Sequence, residues 1–194
     1  MKPLSLYLFL ILFTLQNPSW ADDIRDFQIE GIGIGDSALD YFTKDEIKKN
    51  IDDFNTDDKF TMTCLNDNFK TYDEVCLIFR SSDKNHIIHG ITGQIIFRNS
   101  DINLCHNKQK EIDDEVLINF KNLKRNDWGI LKMDPKVLEI DPNATYKPIT
   151  YDFKNDKERL QIACYDFDIE DRLKVALYTE HYGRHITFDA TKEN

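Results

Sequence analysis

Gly35-Asp36-Ser37-Ala38 places a serine on a glycine turn near the start of the chain. A serine nucleophile needs a histidine to take its proton and an acid to orient that histidine. Asp83-Lys84-Asn85-His86 holds an acid and a histidine close together in the chain. His181 and His185 stand at helical i, i+4 spacing, at which two imidazoles reach one zinc ion. Asp166, Asp168, Glu170 and Asp171 crowd one loop, and oxygen-rich loops are what calcium takes. Gly31-Ile32-Gly33-Ile34-Gly35 is a glycine run of the kind that lets a backbone approach a phosphate. Cys64, Cys76, Cys105 and Cys164 are the four cysteines, able to pair or to ligate.

Each pattern also has a plainer reading. The serine block resembles the nucleophile block of the GDSL family of esterases and lipases, and that resemblance implies Ser37 as nucleophile. The family takes its base from a late Asp-x-x-His, whereas 83–86 falls mid-chain, and its oxyanion-hole glycine and asparagine blocks are missing here. Asp36 and Ser37 after a glycine turn are equally helix caps, which accept from unpaired backbone N–H groups. The glycine run lacks G-x-G-x-x-G spacing, and reads as a kinked strand leading into a helix. His86 and His89 are three apart on a strand, so they face opposite ways and cannot share a metal. No third ligand accompanies His181 and His185. The acidic loop has neither EF-hand spacing nor a turn glycine, and reads as a solvated turn. With no CxxC pair, the cysteines favour disulfides over metal.

The elements that must position these residues follow from periodicity. Ile102, Cys105, Ile112, Val116, Phe120 and Leu123 recur at steps of three and four, with Gln109 in the one gap. That predicts an amphipathic helix over about 100–124, its apolar stripe lying on a sheet. Ser100 is the expected N-cap, Asp101 favours the positive end of the helix dipole, and Lys121, Lys124 and Arg125 suit the other end. Strands are expected at Phe60–Leu65, Asp73–Arg80, Ile87–Phe97, Tyr146–Phe153, Arg159–Phe167 and Arg172–Thr179. Gly90 and Gly93 on the third mark a bulge or a close backbone approach. Asp22 to Gly35 reads as extended, 38–42 as a short helix, and Thr43-Lys44-Asp45-Glu46 as a capping box opening the next. Asn126 to Thr145 reads as loop, and a short helix or tail ends the chain. The fold class is therefore α+β: an antiparallel sheet built from two three-stranded sets, about 60–97 and 146–179, joined by the long helix, with short helices near the N-terminus.

The cysteines and the chain's start fix the compartment. Met1-Lys2, an apolar run from Leu4 to Leu15, and Ser19-Trp20-Ala21 read as a signal peptide over 1–21, cleaved after Ala21. The run is short of the roughly 20 residues that span a bilayer. The rest, 22–194, has the length of one α+β domain. Four cysteines in an exported chain favour two disulfides, with three possible pairings. Cys164 shares a face with Leu160 and Ile162, which should meet the helix carrying Cys105, hence Cys105–Cys164. Val75, Leu77 and Phe79 put Cys76 on the opposite face, and Cys64–Cys76 would staple a hairpin, although Phe60 and Met62 leave the face of Cys64 open. In the chain-entropy model the long loop is worth ~4 kcal/mol and the short one ~3 kcal/mol. A net charge of -10 speaks against nucleic acid and anionic membranes as partners.

Phe27-Gln28-Ile29-Glu30-Gly31 and Ile34-Gly35-Asp36-Ser37-Ala38-Leu39-Asp40-Tyr41-Phe42 resemble the opening of a family of small exported proteins of marine alphaproteobacteria. Tyr72-Asp73 and Cys105 are similar too. The resemblance implies an exported α+β domain and carries over no catalytic residue. More distantly, glycine, short helix and antiparallel strands resemble small envelope adaptor folds, BamE-like or lactamase-inhibitor-like. The expectation is a non-enzymatic periplasmic or secreted binding or interaction module, with no cofactor and an unidentified protein or small-molecule partner. A Ser37 hydrolase and a calcium- or zinc-binding domain are the alternatives.

Overall fold

Alternation of apolar and polar side chains marks the long strands of this chain, and most of their apolar side chains turn to one side. The structure is a computed structural model that describes residues 23–53, 56–66, 69–98, 101–120, 122–153 and 158–183. The expected signal peptide, Ser100, His185 and the C-terminal tail lie outside them.

A 3-10 turn, Ile24–Asp26, precedes a small hairpin of β1 (Gln28–Ile29) and β2 (Ile32–Gly33). The stretch read as extended is thus a turn and a hairpin. Glu30 and Gly31, both at positive φ (55° and 82°), form the hairpin's two-residue loop. Ser37 caps a 3-10 turn, Ala38–Asp40, and the Thr43–Glu46 capping box opens α1 (Lys44–Lys49). There follow β3 (Phe60–Leu65), β4 (Glu74–Arg80), β5 (Ile88–Phe97) and α2 (Ile102–Asn119). Next come β6 (Lys124–Asp127), β7 (Leu131–Lys132), α3 (Pro135–Leu138) and the three strands β8 (Thr145–Asp152), β9 (Arg159–Asp166) and β10 (Asp171–Tyr178).

The two three-stranded sets are joined edge to edge in one antiparallel sheet of eight strands. Its order is β3-β4-β5-β10-β9-β8-β6, with β7 also paired to β8. β5 and β10 pair over eight residues at the seam. Beyond β3, residues 50–52 lie against the strand: Cys64 N–H donates to Asn50 O and Asp52 N–H to Met62 O, each at 2.9 Å. This covers the edge that would otherwise offer unpaired backbone groups.

Three expectations are corrected. The long helix ends at Asn119 with Phe120 as its C-cap, so Leu123 is beyond it and Lys124 and Arg125 already belong to β6. The reason is Arg125, which folds back to bind Asp113 on the helix through Nε (2.9 Å) and Nη2 (2.8 Å). At the other end the observed N-cap is Asp101, whose carboxylate accepts from Asn103 N–H. The segment read as loop holds β6, β7 and α3. Their sequences lack strong periodicity because they lie at the rim, half covered at best.

The main core sits on one face of the sheet, and a smaller cluster of Phe60, Met62, Ile78, Tyr178 and Tyr182 lies on the other. Val75, Leu77, Ile91, Leu160, Ile162, Leu173 and Leu177 point to the side where α2 and the N-terminal segment pack. Gln109, the gap in the helical stripe, is buried there, and its amide donates to Lys147 O (2.7 Å) and Ile162 O (2.9 Å) of neighbouring strands. Both glycines of β5 mark close approach. A Cβ on Gly93 would stand 2.6 Å from the Tyr72 ring, and one on Gly90 would stand 2.9 Å from Ile78.

Candidate functional site

The residues singled out for chemistry are dispersed. Ser37 and the 83–86 turn do meet across an isolated bridge between Ser37 and Ile87, but not as a triad. Ser37 Oγ donates to Asn85 O at 2.6 Å and accepts from Leu39 N–H. Asp83 accepts from the backbone N–H groups of Asn85 and Ile87, and His86 Nδ1 faces Lys84 O. The hydroxyl thus serves as a cap and a staple. His86 is not on the strand but in the turn, at φ 52°, with its ring against Phe79. His89 lies on the opposite face beside Phe60, and its partner is His181, with ring centroids 5.9 Å apart. His185 lies outside the described residues.

The acidic group divides. Asp166 and Asp171 face each other at the end of the β9–β10 pair. Asp171 is buried, so burial, and then the charge of Asp166, raises its pKa against a weak hydrogen bond from the backbone of Phe167 that lowers it. Glu170 pairs with Arg172 through Nε at 2.8 Å. Asp168 is exposed, and its backbone N–H donates to Asp141. Among the described residues these four do not converge on one point.

The structure joins Cys105 to Cys164 and Cys64 to Cys76. The first bridge is buried between α2 and β9. The second lies on the other face of the sheet, between directly opposed residues of β3 and β4. Because Cys64 gives its N–H to Asn50 and not to β4, the pair occupies a narrow, non-hydrogen-bonded position, where side chains are closest.

Residues 180–183 are helical and set Tyr182 on that other face against Phe60 and Tyr178, and the second bridge lines a depression of the same face. A cup of about 450 Å³ is walled on one side by 50–52 and on the other by Arg172 and Lys174. Cys64, Cys76, Glu74 and Gln94 line it between those walls. Glu74 Oε1 accepts from Gln94 Nε2 at 2.9 Å and lies 3.6 Å from Cys76 Sγ. Gln94 Nε2 also points at that sulfur, at 3.9 Å. Burial raises the pKa of Glu74, partly opposed by the charge of Arg172. Burial works against the ammonium of Lys174, but the phenol oxygens of Tyr178 and Tyr165 outweigh it and hold its pKa up. Beyond Lys174 runs a row of near-parallel rings, Tyr146, Tyr165 and Phe167, with neighbouring centroids 5.7 and 6.1 Å apart. Lys174 Nζ stands 6.0 Å from the centre of Tyr165. Across the sheet Trp128 donates from Nε1 to Thr150 at 3.1 Å and stays half exposed.

Sequence reasoning passed over Glu74, Gln94, Arg172 and Lys174. The signal was present: they occupy the positions of β4, β5 and β10 that alternate with core residues, so they had to share the face of Cys76. What the sequence did not show is that β5 and β10 are neighbours.

The fold and the site define a class: a disulfide-stapled antiparallel α+β domain with its long helix on one sheet face and a charged cup on the other. Two disulfides belong to an oxidising, extracytoplasmic environment. No helix among the described residues is long and apolar enough to cross a membrane. Comparisons with known protein families, with curated proteins and with solved structures find no match.

Proposed function

We propose that this chain is a non-enzymatic binding module of the periplasm or the secreted medium, and that it works through the open face of its sheet. The observation that carries the reading is the difference between the two faces of the sheet. The helix and the N-terminal segment pack on one face, while the other holds a charged cup beside a row of aromatic rings. A cup with both a carboxyl and cationic groups suits a polar ligand or a polar protein segment, and flanking rings add contact area at low entropic cost. Ser37 has its hydroxyl engaged at both its donor and acceptor sides, which supports binding over hydrolysis. Export by a signal peptide cleaved after Ala21, and kinship with the small exported proteins that the N-terminal residues resemble, belong to the same proposal.

The test is affinity capture from an envelope extract with the chain beginning at Asp22, in parallel with an Arg172→Ala/Lys174→Ala variant. The reading expects a ligand or partner retained by the first and lost from the second. Equal retention on both, or none on either, refutes it. N-terminal sequencing of the exported protein checks the cleavage site.

A further inference from the structure

The two bridges have unlike surroundings. Cys105 and Cys164 are fully buried, and Cys105 Sγ lies 3.5 Å from the backbone carbonyl of Arg172. Cys64 is partly buried at the edge of the cup, while Cys76 is buried. The Cys76 sulfur faces two polar side chains, the Glu74 carboxyl and the Gln94 amide. A bridged sulfur has no proton to donate, so the 3.6 Å approach to Glu74 becomes a hydrogen bond only once Cys76 is a thiol. A bridge serving only as a staple needs neither group at its sulfur.

We propose that Cys64–Cys76 is a redox-active disulfide that takes two electrons from a dithiol entering the cup. The proposal deepens the binding reading, since the dithiol is then a ligand of the same cup. Exchange begins when a thiolate attacks a disulfide sulfur in line with the bond. Cys64 is the less buried of the two cysteines, so its Sγ is taken as the sulfur attacked. A bond forms between the incoming sulfur and Cys64, the Cys64–Cys76 bond breaks, and its electron pair goes to Cys76. Gln94 Nε2 donates toward the departing sulfur, and the Glu74 carboxyl hands it a proton that solvent replaces. The second thiolate of the dithiol then attacks its own sulfur in the mixed disulfide and releases Cys64 as a thiolate, which solvent protonates. The dithiol leaves as a disulfide, and two electrons and two protons have passed to the protein. Arg172 and Lys174 on the cup wall favour the anionic species along the way. Glu74 and Gln94 act through the cysteines and are positioning residues. The fold need not open, because Cys105–Cys164 still ties α2 to the sheet.

The test uses the chain beginning at Asp22, oxidised, with dithiothreitol as the dithiol from acid to mildly alkaline pH. The reaction is quenched with N-ethylmaleimide and read by peptide mass. Alkylation at Cys64 and Cys76 is expected on the order of 100-fold faster than at Cys105 and Cys164, with Trp128 fluorescence unchanged. Glu74→Gln is expected to slow opening roughly tenfold at acid pH, with the gap closing as pH rises and Glu74 ionises. Glutathione, a monothiol, supplies a readout that needs no variant: its adduct should sit on Cys64. Equal rates at the two bridges, opening only together with a loss of tertiary signal, or an adduct on Cys76 would each overturn the proposal. The partner capture described above involves no thiol, so the two can fail separately. Slow exchange with successful capture removes only this inference, and fast exchange without capture removes only the binding reading.

Discussion

Asp113→Asn is the sharpest probe of how α2 is fastened to the sheet. Asp113 is 6% exposed, on the sheet side of the helix. Its carboxylate accepts from Arg125 Nε at 2.9 Å, from Arg125 Nη2 at 2.8 Å and from the Tyr151 hydroxyl at 2.5 Å. Asparagine has the same shape and keeps Oδ1 as the acceptor for both Tyr151 and Arg125 Nε, so the loss falls on the Arg125 Nη2 contact, where an amide NH2 replaces the acceptor, and on the negative charge that Arg125 faces. Hydrogen bonds to charged groups contribute ~1.5–3 kcal/mol each. The Arg125 side chain is 29% exposed and regains part of this from water. The expected cost is therefore ~2–3 kcal/mol at neutral pH, at the low end for removing one partner of a buried pair. In a domain of this size that lowers Tm by roughly 5–10 °C.

The pH dependence makes the prediction specific. Burial works to raise the pKa of Asp113, but the hydrogen bonds from Arg125 and Tyr151 outweigh it and hold the group below the ordinary aspartate range. A depressed carboxyl contributes its stability above the unfolded value of about 3.9, and loses it as pH falls through the lower folded value. The wild-type and Asp113→Asn curves, measured by urea denaturation, should therefore stay apart from neutral pH down to about pH 4 and converge below it. A gap under about 0.5 kcal/mol at neutral pH, the size of an ordinary surface substitution, would refute the reasoning. So would a gap that does not close in acid.

Other consequences are checked by the same denaturation assay. Gly93→Ala sets a methyl against the buried Tyr72 ring, 2.6 Å away, and should cost ~2–3 kcal/mol as an overpacked site, whereas an unchanged midpoint would show that the ring can move. Glu30 accepts from the backbone N–H groups of Lys70, Thr71 and Tyr72, so Glu30→Ala should cost ~2 kcal/mol and speed proteolysis at 69–73, and no change in cleavage would count against that clamp. Asp171→Asn should stabilise by ~1 kcal/mol at neutral pH, since the raised pKa of Asp171 means that stability falls as pH climbs from the unfolded value to the folded one, and a destabilised variant would mean that hydrogen bonds to the carboxylate outweigh its burial. A Cys105→Ala/Cys164→Ala double variant should lose ~4 kcal/mol by the chain-entropy estimate for a 59-residue separation, and a loss under half of that would show that the loop is already restrained when unfolded.

Much of the architecture was legible in the chain, for local reasons. Alternation in 160–164 and 173–177, the stripe from Cys105 to Val116, and the Thr43–Glu46 box are each set by neighbours within a few residues, so they read directly as strand, helix and cap. The faces of Cys76, Cys105 and Cys164 follow from the same alternation, and the two bridges observed join those faces accordingly. The helix end was misread because its cause is not local: Arg125 turns back twelve residues to Asp113, and no periodicity signals that. Gln109 looked like a flaw in the stripe, and only the carbonyls of Lys147 and Ile162 beneath it explain a buried amide there.

The sequence by itself determined a stapled α+β domain with an acidic surface, because charge, pairing chemistry and periodicity are properties of residue type and spacing. Only the tertiary structure decided where that domain can act. Pairing β5 with β10 brings Glu74 and Gln94 from one half of the chain beside Arg172 and Lys174 from the other, around the bridge of Cys64 and Cys76. The reason is register: alternation assigns each of these residues to a face, but which strands are neighbours depends on pairings between residues some eighty positions apart.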